Sequence, residues 1–115
     1  MILLLVGQIS YGTASYYGKK FDHNRTASGR IFHMDSLTAA HNEFPFGTKC
    51  RVWNVLNNDS VDVTITDRGG FAKYNRVIDL SKAAFKTICP LKDGVCMVRI
   101  EILEIGIWKY KKEEK

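Results

Sequence analysis

The chain has 115 residues, of which 45 % are apolar, and this length supports one domain with one hydrophobic core and excludes a second domain of ordinary size. Its 17 lysine and arginine residues outnumber its 12 aspartate and glutamate residues, and the net charge of +5 favours an anionic partner such as nucleic acid, a membrane surface or a wall polymer. The basic residues are scattered, without the basic stripe typical of nucleic-acid binding, so we expect no nucleic-acid partner.

Residues 1–8 open the sequence with an apolar stretch that stops at Gly7. The stretch is far shorter than the roughly 20 residues that cross a bilayer, and it lacks the basic leader of a signal peptide. Two interpretations remain, a remnant of a leader and the first strand of the domain. We favour the remnant.

Three strands are predicted in the first part of the chain. Residues 8–17 are rich in β-branched, aromatic and small side chains, which suits a strand more than a helix. Residues 49–56 and 61–67 form two further predicted strands. The segment 57–60 between them has the sequence Asn-Asn-Asp-Ser, which is typical of the turn that closes a hairpin.

Asp67 ends the strand predicted for residues 61–67. Val61, Val63 and Ile65 alternate onto one face of that strand, and Asp67 continues the same parity. The pattern therefore predicts a carboxylate on the inner side of the sheet, where the glycines that follow allow a sharp turn. Two roles are compatible with this position, a structural cap on the turn backbone and a functional group.

Residues 81–88 are the one segment predicted as a helix, because Ser81 is a good N-cap and Pro90 follows the end of the segment. Residues 95–105 return to strand composition, with a partly alternating pattern that predicts a strand buried on much of both faces. The sum is a mostly β domain with many short strands and one small helix, which indicates a barrel or a sandwich.

The three cysteines cannot all pair within one chain. Cys89 and Cys96 flank a short loop that a disulfide could close in an oxidising compartment, and we expect them to pair there. Cys50 is predicted to be buried in a strand as a small apolar side chain. No two cysteines have CxxC spacing, and the histidines do not bracket them as zinc ligands do, so we expect no metal site; these histidines are His23, His33 and His41.

Five short motifs carry a resemblance to a known family. In chain order they are TASG at 26–29, LTAAH at 37–41, PFGT at 45–48, DRGGF at 67–71 and IDLS at 78–81. Their order and spacing resemble those of the rare lipoprotein A type of double-psi β-barrel. The resemblance implies a mostly β fold, a six-stranded double-psi β-barrel with one short helix over residues 9–107. A charged tail at 108–115 follows, and we expect it to be solvated and frayed.

The resemblance also implies a function, lytic transglycosylation of the glycan strands of peptidoglycan, outside the cytoplasm in the cell envelope and without a cofactor. We expect a monomer that contacts a membrane only through a lipid anchor, where the whole protein carries one. The catalytic residues would be His41 and Asp67, which match the histidine and aspartate that the family ties to cleavage. The alternative is a non-catalytic, expansin-like module that binds cell-wall polysaccharide.

Arg30 is the largest departure from the family pattern, which places a glutamate there. A guanidinium beside a carboxyl group favours its ionised form, so Arg30 next to Asp67 would leave a poor proton donor. Its planar guanidinium suits instead the binding of a substrate carboxylate, such as the lactyl group of muramic acid. A solvated loop arginine is the other interpretation.

The candidate residues lie at strand ends, and we predict that Arg30, His41 and Asp67 converge on one groove. His41 has a second interpretation, a neutral imidazole that is hydrogen-bonded within the fold.

Further substrate contacts are predicted at Asn42, Arg68 and Tyr74. Aromatic residues beside the motifs could stack on sugar rings, although we expect most of them to pack in the core or at the rim. These aromatic residues are Tyr16, Tyr17, Phe32, Phe44 and Phe71.

Overall fold

The computed structural model describes residues 3–69 and 76–114, and within them the chain forms six strands, one α-helix and two short 3-10 turns. The helix α1 spans Lys82–Ile88, and the 3-10 turns span Lys19–Phe21 and Leu91–Asp93. The strands are β1 Ile9–Tyr17, β2 Thr38–Ala40, β3 Lys49–Asn54, β4 Ser60–Asp67, β5 Arg76–Ser81 and β6 Val95–Glu104.

The strands close into a barrel in the order β1-β5-β2-β4-β3-β6, with β6 pairing back onto β1. Strands β1 and β5 are parallel, as are β2 and β4, whereas the other neighbours are antiparallel. Parallel neighbours cannot be joined by a tight hairpin, and neither parallel pair is consecutive along the chain. The TASG motif lies in the long connection from β1 to β2, which are not neighbours in the barrel. The expected six-stranded barrel with one short helix is confirmed.

The hairpin of β3 and β4 forms where the sequence predicts it. The Asn57 side chain accepts a hydrogen bond from the Asp59 N–H at 2.9 Å, and Asn58 adopts a φ of +62°, which asparagine tolerates better than most residues. Strands β2 and β5 are not among the predicted strands. Strand β2 has only three residues, too few to show a pattern.

The barrel interior is filled by alternate side chains of the long strands. In β6, Cys96, Val98, Ile100 and Ile102 are buried, whereas Val95 and other outward residues are exposed or half-buried. The expectation that this strand is buried on much of both faces is therefore wrong, because its outer face is open to solvent rather than covered by a helix. Each fully buried isoleucine contributes roughly 1.5–3 kcal/mol of hydrophobic stabilisation.

Helix α1 begins as its sequence predicts. The Ser81 hydroxyl accepts a hydrogen bond from the Ala84 N–H at 3.2 Å, and Phe85 and Ile88 bury their side chains in the core. The helix ends before Cys89, whose backbone is extended. Among the described residues, no helix is long and apolar enough to span a membrane.

The described part of the N-terminal segment, residues 3–8, is not a strand but contacts the barrel. The Gly7 N–H donates to the Ile102 carbonyl oxygen at 2.7 Å, and the Ile102 N–H donates to the Gln8 carbonyl oxygen at 3.0 Å. Leu4 packs against the core, whereas Leu3 is exposed.

The C-terminal tail is ordered along the TASG loop rather than frayed. The Lys111 N–H donates to the Ser28 carbonyl oxygen at 3.0 Å, and the Glu113 N–H donates to the Gly29 carbonyl oxygen at 2.9 Å. Gly29 has a φ of +89°, and a Cβ there would lie 2.4 Å from the Lys111 carbonyl oxygen. A glycine is therefore needed where the tail crosses the loop, and the expectation of a frayed tail is wrong for residues 108–114 because backbone hydrogen bonds hold it.

The cysteines differ from the expected pairing. Cys89 and Cys96 are free, buried thiols instead of a disulfide, and the Cys89 thiol donates to the Asp93 carboxylate at 3.7 Å. Burial is the main cause that raises the pKa of both thiols, to about 12 for Cys96. The burial of Cys50 is confirmed, and it raises the pKa of that thiol to about 12.

Candidate functional site

A groove of about 460 Å³ opens where the ends of β1, β2 and β4 meet β5. Because β1 lies parallel to β5 and β2 lies parallel to β4, the topology brings these strand ends to one edge of the barrel. The groove is lined by aromatic and charged side chains together, a composition suited to a polar ligand with flat faces. The lining residues are Ser15, Tyr16, Tyr17, Phe21, Ala40, Asp67, Arg68, Gly69, Arg76 and Asp79.

Two carboxylates enter this groove from the two strands that flank β2. Ala40 pairs with Asp67 of β4 on one side and with Asp79 of β5 on the other. A register shift between Ala39 and Ala40 skips one residue of β4 and brings Asp67 level with Ala40. The strand register therefore places both carboxylates at the same level of the barrel edge.

Asp79 is largely enclosed, with 15 % of its side chain exposed. The Ser15 hydroxyl donates a short hydrogen bond to Asp79 Oδ1, and Arg76 Nε lies 3.1 Å from the same oxygen. Burial raises the pKa of Asp79 above its ordinary value, and the Ser15 hydrogen bond and the Arg76 charge oppose that shift. A carboxyl group that keeps its proton to higher pH is a better general acid near neutrality.

Asp67 is held by backbone donors. Its Oδ1 accepts the Ala27 N–H at 2.8 Å and the Arg68 N–H at 2.9 Å, so the carboxylate anchors the TASG loop against the end of β4. The same side chain lines the groove, half-buried. The structure thus shows Asp67 as a cap on the turn backbone and also places its carboxylate in the groove.

Tyr17 also lines the groove, and the charges of both carboxylates act on its hydroxyl. Burial, followed by the charges of Asp67 and Asp79, raises the pKa of its phenol well above the usual range, so the hydroxyl stays protonated. Its ring packs on Phe32 with centroids 4.4 Å apart. Tyr16 also lines the groove, and its hydroxyl donates to the Leu91 carbonyl oxygen at 3.1 Å.

His41 is buried beside this groove, but its ring lines a neighbouring cavity of about 300 Å³ that shares Arg76 with it. The ring stacks on Phe44 with centroids 3.7 Å apart, and Nδ1 accepts the N–H groups of Glu43 and Phe44, each at 3.1 Å. Burial, and then the Arg68 charge, lowers the pKa of His41 to about 4. The imidazole is therefore neutral at pH 7, with its proton on Nε2.

Arg68 lines the groove, and Asn42 lines the cavity of His41 next to it. The Arg68 guanidinium lies 3.9 Å from the Phe46 ring centroid, and its Nη1 donates to the His41 carbonyl oxygen at 2.9 Å. Asn42 Oδ1 accepts the Gly69 N–H at 2.9 Å, and its side chain lines the cavity of His41. Both residues are thus partly occupied by contacts within the protein.

Arg30 points away from the groove. Its guanidinium carbon lies 4.0 Å from the centroid of the Trp108 ring. Its Nη1 lies 3.4 Å from the carbonyl oxygens of Ser28 and Lys109. In the part of the chain that the structure describes, no ion pair joins Arg30 to Asp67. The TASG loop thus approaches Asp67 through its backbone, while its arginine side chain turns to the tail.

The predicted convergence of Arg30, His41 and Asp67 on one groove is therefore wrong, because Asp67 alone of the three lines the groove. The structure brings Asp67 and Arg68 into one groove, places His41 in the adjoining cavity and leaves Arg30 outside both. Tyr74 and Phe71 lie outside the described residues. Phe32 and Phe44 are buried packing residues.

Comparison with known proteins adds to this geometry. The sequence model of the lytic transglycolase family matches residues 9–100, which include every strand of the barrel in whole or in part. The chain belongs to this family.

Two curated relatives of this lytic transglycolase domain share one name. The endolytic peptidoglycan transglycosylase RlpA of Campylobacter jejuni is 39 % identical over 104 residues, covering 90 % of this chain and 38 % of the relative. The protein of the same name from Haemophilus influenzae is 45 % identical over 98 residues, covering 85 % of this chain and 34 % of the relative. The chain thus spans about a third of the length of these relatives, and the resemblance to the rare lipoprotein A type is confirmed.

Solved structures similar to the lytic transglycolase domain support the fold alone. The Streptomyces papain inhibitor superposes with a TM-score of 0.70 at 23 % identity, covering 86 % of this chain and 97 % of the inhibitor. An expansin of Clavibacter michiganensis superposes with a TM-score of 0.67 at 16 % identity, covering 87 % of this chain and 52 % of the expansin.

Three groove residues with polar side chains were not predicted from the sequence, namely Ser15, Arg76 and Asp79. The signal for Asp79 is visible in retrospect, because a carboxylate interrupts the apolar run Val-Ile-Asp-Leu of β5. Ser15 and Arg76 carry no such signal, since a serine in a strand and an arginine at a strand start are common. Only the pairing of Ser15 with Asp79 across β1 and β5 brings them together.

Proposed function

We propose that this domain cleaves the glycan strands of peptidoglycan by lytic transglycosylation. One observation carries the proposal: Asp67 and Asp79 face a single groove from the two sides of Ala40, in different surroundings. Glycosidic cleavage needs a proton donor for the leaving oxygen and a negative group beside the oxocarbenium-like centre. Two carboxyl groups with unequal surroundings match these two tasks.

Asp79 is the proposed acid. Its raised pKa favours the protonated form that donates to the glycosidic oxygen, and Arg76 and Ser15 stabilise the carboxylate that remains. That carboxylate then accepts the proton of the 6-hydroxyl of the sugar, whose oxygen attacks the anomeric carbon and closes an anhydro ring. The proton taken up in the second step replaces the one given in the first, so Asp79 ends as it began.

Asp67 is the proposed electrostatic stabiliser. Its Oδ1 is fixed by two backbone donors, so the carboxylate cannot swing away as positive charge develops on the sugar. Tyr16 and Tyr17 offer ring surfaces in the same groove for sugar faces.

His41 is the other residue that the resemblance proposes for catalysis. Its Nδ1 is occupied by backbone donors, so its available group at neutral pH is the Nε2–H, a hydrogen-bond donor rather than a base. We assign it and Asn42 to the neighbouring sugar unit in the adjoining cavity, with Arg68 between the two cavities. The position of Arg30 on Trp108 gives no support to a substrate contact for that residue.

The printed names of the relatives, endolytic peptidoglycan transglycosylases, support the same proposal for substrate and reaction. Peptidoglycan lies outside the cytoplasm, so the proposed location is the cell envelope. The proposed partner is the glycan strand itself, bound by a monomer.

The test is product analysis. The chain is incubated with peptidoglycan and with glycan strands stripped of stem peptides, and the released sugars are identified by mass spectrometry. Anhydromuramic ends are expected, and Asp79→Asn and Asp67→Asn should each lower the rate by about 100-fold or more. Asp35→Asn is the matched control, because Asp35 is an exposed carboxylate outside the groove.

Two other results would overturn the proposal. Reducing ends would indicate hydrolysis in place of transglycosylation. Retention on peptidoglycan with no release of sugar would indicate the alternative, a non-catalytic, expansin-like module that binds wall polysaccharide.

A further inference from the structure

A second cluster of chemically active side chains lies away from the groove, at the base of the TASG loop. Residues 22–25 and 31–34 run antiparallel there: the His23 N–H donates to the Phe32 carbonyl oxygen, and the Phe32 N–H donates to the Asn24 carbonyl oxygen, each at 2.8 Å. Arg25 and Ile31 continue the pairing as a β-bridge. We call this paired segment the ribbon, and the TASG motif is its tip.

The ribbon brings two imidazoles and one carboxylate together. The ligand atoms of Asp22, His23 and His33 all lie within 4.8 Å of one another, and the two rings meet edge to face with centroids 5.3 Å apart. Asp22 Oδ1 accepts the Met34 N–H at 3.0 Å, which fixes the carboxylate. The other oxygen of Asp22, Oδ2, takes no part in the hydrogen bond to Met34 and lies 3.4 Å from His23 Nδ1.

From this arrangement we propose that Asp22, His23 and His33 bind a divalent transition-metal ion, with Zn²⁺ as the best match. Two imidazole nitrogens and one carboxylate oxygen are ligands that Zn²⁺ takes, with water in the fourth position of a tetrahedron. Ligand atoms about 2.1 Å from a tetrahedral zinc lie roughly 3.4 Å apart. The ligand atoms of the cluster therefore need to move toward one another by little more than 1 Å at most.

The exposed histidines can make that adjustment. The His23 side chain is 71 % exposed, and His33 is also exposed, so rotation about their χ angles displaces no packed neighbour. Asp22, by contrast, is 19 % exposed and held by Met34, and it serves as the fixed ligand.

The charge around the histidines favours a cation. A cavity of about 220 Å³ beside them is lined by His23, Ile31, His33, Glu113 and Glu114. Glu113 also accepts the Ile31 N–H at 3.3 Å, which keeps the end of the tail next to the ribbon. These carboxylates add negative potential where the ion binds.

A metal at this position ties the two sides of the ribbon together. The tip of the ribbon carries Ala27, whose N–H donates to Asp67. Binding of the ion therefore stabilises the loop that holds the Asp67 carboxylate in place. The metal site does not depend on the proposed function, since it rests on residues outside the groove.

Calorimetric titration of the metal-free chain with Zn²⁺ tests the site, in a buffer that does not bind the metal. One ion per chain is expected. His33→Gln, His23→Asn and Asp22→Asn should each weaken binding by about tenfold or more. Asparagine is chosen at position 23 because His23 has a φ of +66°, which asparagine tolerates.

Two controls separate this site from other binding. Asp35→Asn removes an exposed carboxylate near the ribbon that is not part of the cluster, and it should leave the affinity unchanged. Mg²⁺, which prefers oxygen ligands, should not bind to this site.

Thermal unfolding gives a second measurement. Zn²⁺ should raise Tm of the wild-type chain by several degrees, reversibly on chelation, and should leave Tm of His33→Gln unchanged. The proposal is overturned if the wild-type chain shows no saturable binding, or if the histidine variants, folded by circular dichroism, bind Zn²⁺ as tightly as the wild type.

Discussion

Asp67 and Asp79 are related through Ala40, which pairs with one aspartate on each side of the three-residue strand β2. Neighbouring strands lie about 4.8 Å apart, so the backbones of the two aspartates are separated by roughly 10 Å, with their side chains directed into the groove between. The Asp79 carboxylate is held by a hydroxyl and a guanidinium, whereas the Asp67 carboxylate is held by backbone amides. The barrel thus presents two similar groups in two different environments.

Ser15→Ala should shift the pH dependence of cleavage. The Ser15 hydrogen bond lowers the pKa of Asp79, so its loss should raise that pKa and keep the acid protonated to higher pH. The alkaline limb of kcat/KM should therefore move to higher pH. Ser60→Ala, at an exposed serine, is the control. An unshifted alkaline limb would contradict the role of Asp79 as the acid.

His41 should make the folded state less stable in mild acid. The folded chain holds His41 neutral down to about pH 4, whereas the unfolded chain protonates it below about pH 6.5. The unfolded state therefore binds more protons between these values, and the free energy of unfolding should fall as the pH falls from about 6.5 to about 4, by up to ~3 kcal/mol.

His41→Asn tests this dependence, because the asparagine oxygen can replace Nδ1 as acceptor but does not titrate. Urea unfolding is measured for both proteins above and below the histidine range. The difference in stability between them should shrink as the pH falls, while contributions of other groups cancel. An equal pH dependence in the two proteins would show that His41 is not buried as a neutral imidazole.

Gly29→Ala should loosen the C-terminal tail. Gly7→Ala is a matched control, because both glycines have a φ near +90° but only Gly29 would place its Cβ against another segment. The control should cost about 1–2 kcal/mol of stability from backbone strain. Gly29→Ala should cost roughly 1–3 kcal/mol more and should speed hydrogen exchange at the Lys111 amide. Equal costs would mean that the tail does not hold its position on the loop.

Arg30→Glu distinguishes two views of Arg30. The sequence suggests that arginine disables the site by facing Asp67, whereas the structure stacks it on Trp108. We expect the substitution to weaken tail docking and to fall well short of the roughly 100-fold gain in cleavage that a positioned acid supplies. Arg30→Gln, which removes the charge alone, is the control. A gain of that size with Arg30→Glu alone would restore the first view.

Local sequence signals predicted the long elements well. The turn residues at 57–60 and the cap at Ser81 depend on neighbours within a few positions, and both appear in the structure as expected. The alternation predicted for residues 61–67 holds as far as Ile65, after which Thr66 is buried and Asp67 is half-buried. The three-residue strand β2 could not be predicted in this way. Its pairing depends on β4 and β5, which are distant in sequence.

The candidate site was predicted in part. Asp67 and Arg68 line the groove, but the directions of the Arg30 and His41 side chains follow from contacts that no local pattern reports: the Trp108 ring for one, the Phe44 ring and two backbone amides for the other. The structure also leaves Cys89 and Cys96 as free, buried thiols, whereas their spacing in the sequence suggested a disulfide.

The family, the mostly β character and one carboxylate of the groove could be predicted from the sequence, because motif order and hydrophobic alternation are properties of the chain alone. The tertiary structure was needed to show that Asp79 joins Asp67, that His41 is neutral and that the tail crosses the TASG loop. Strand register, burial and long-range hydrogen bonds arise when segments distant in sequence meet, and these set which side chains share a cavity and which protonation state each one keeps.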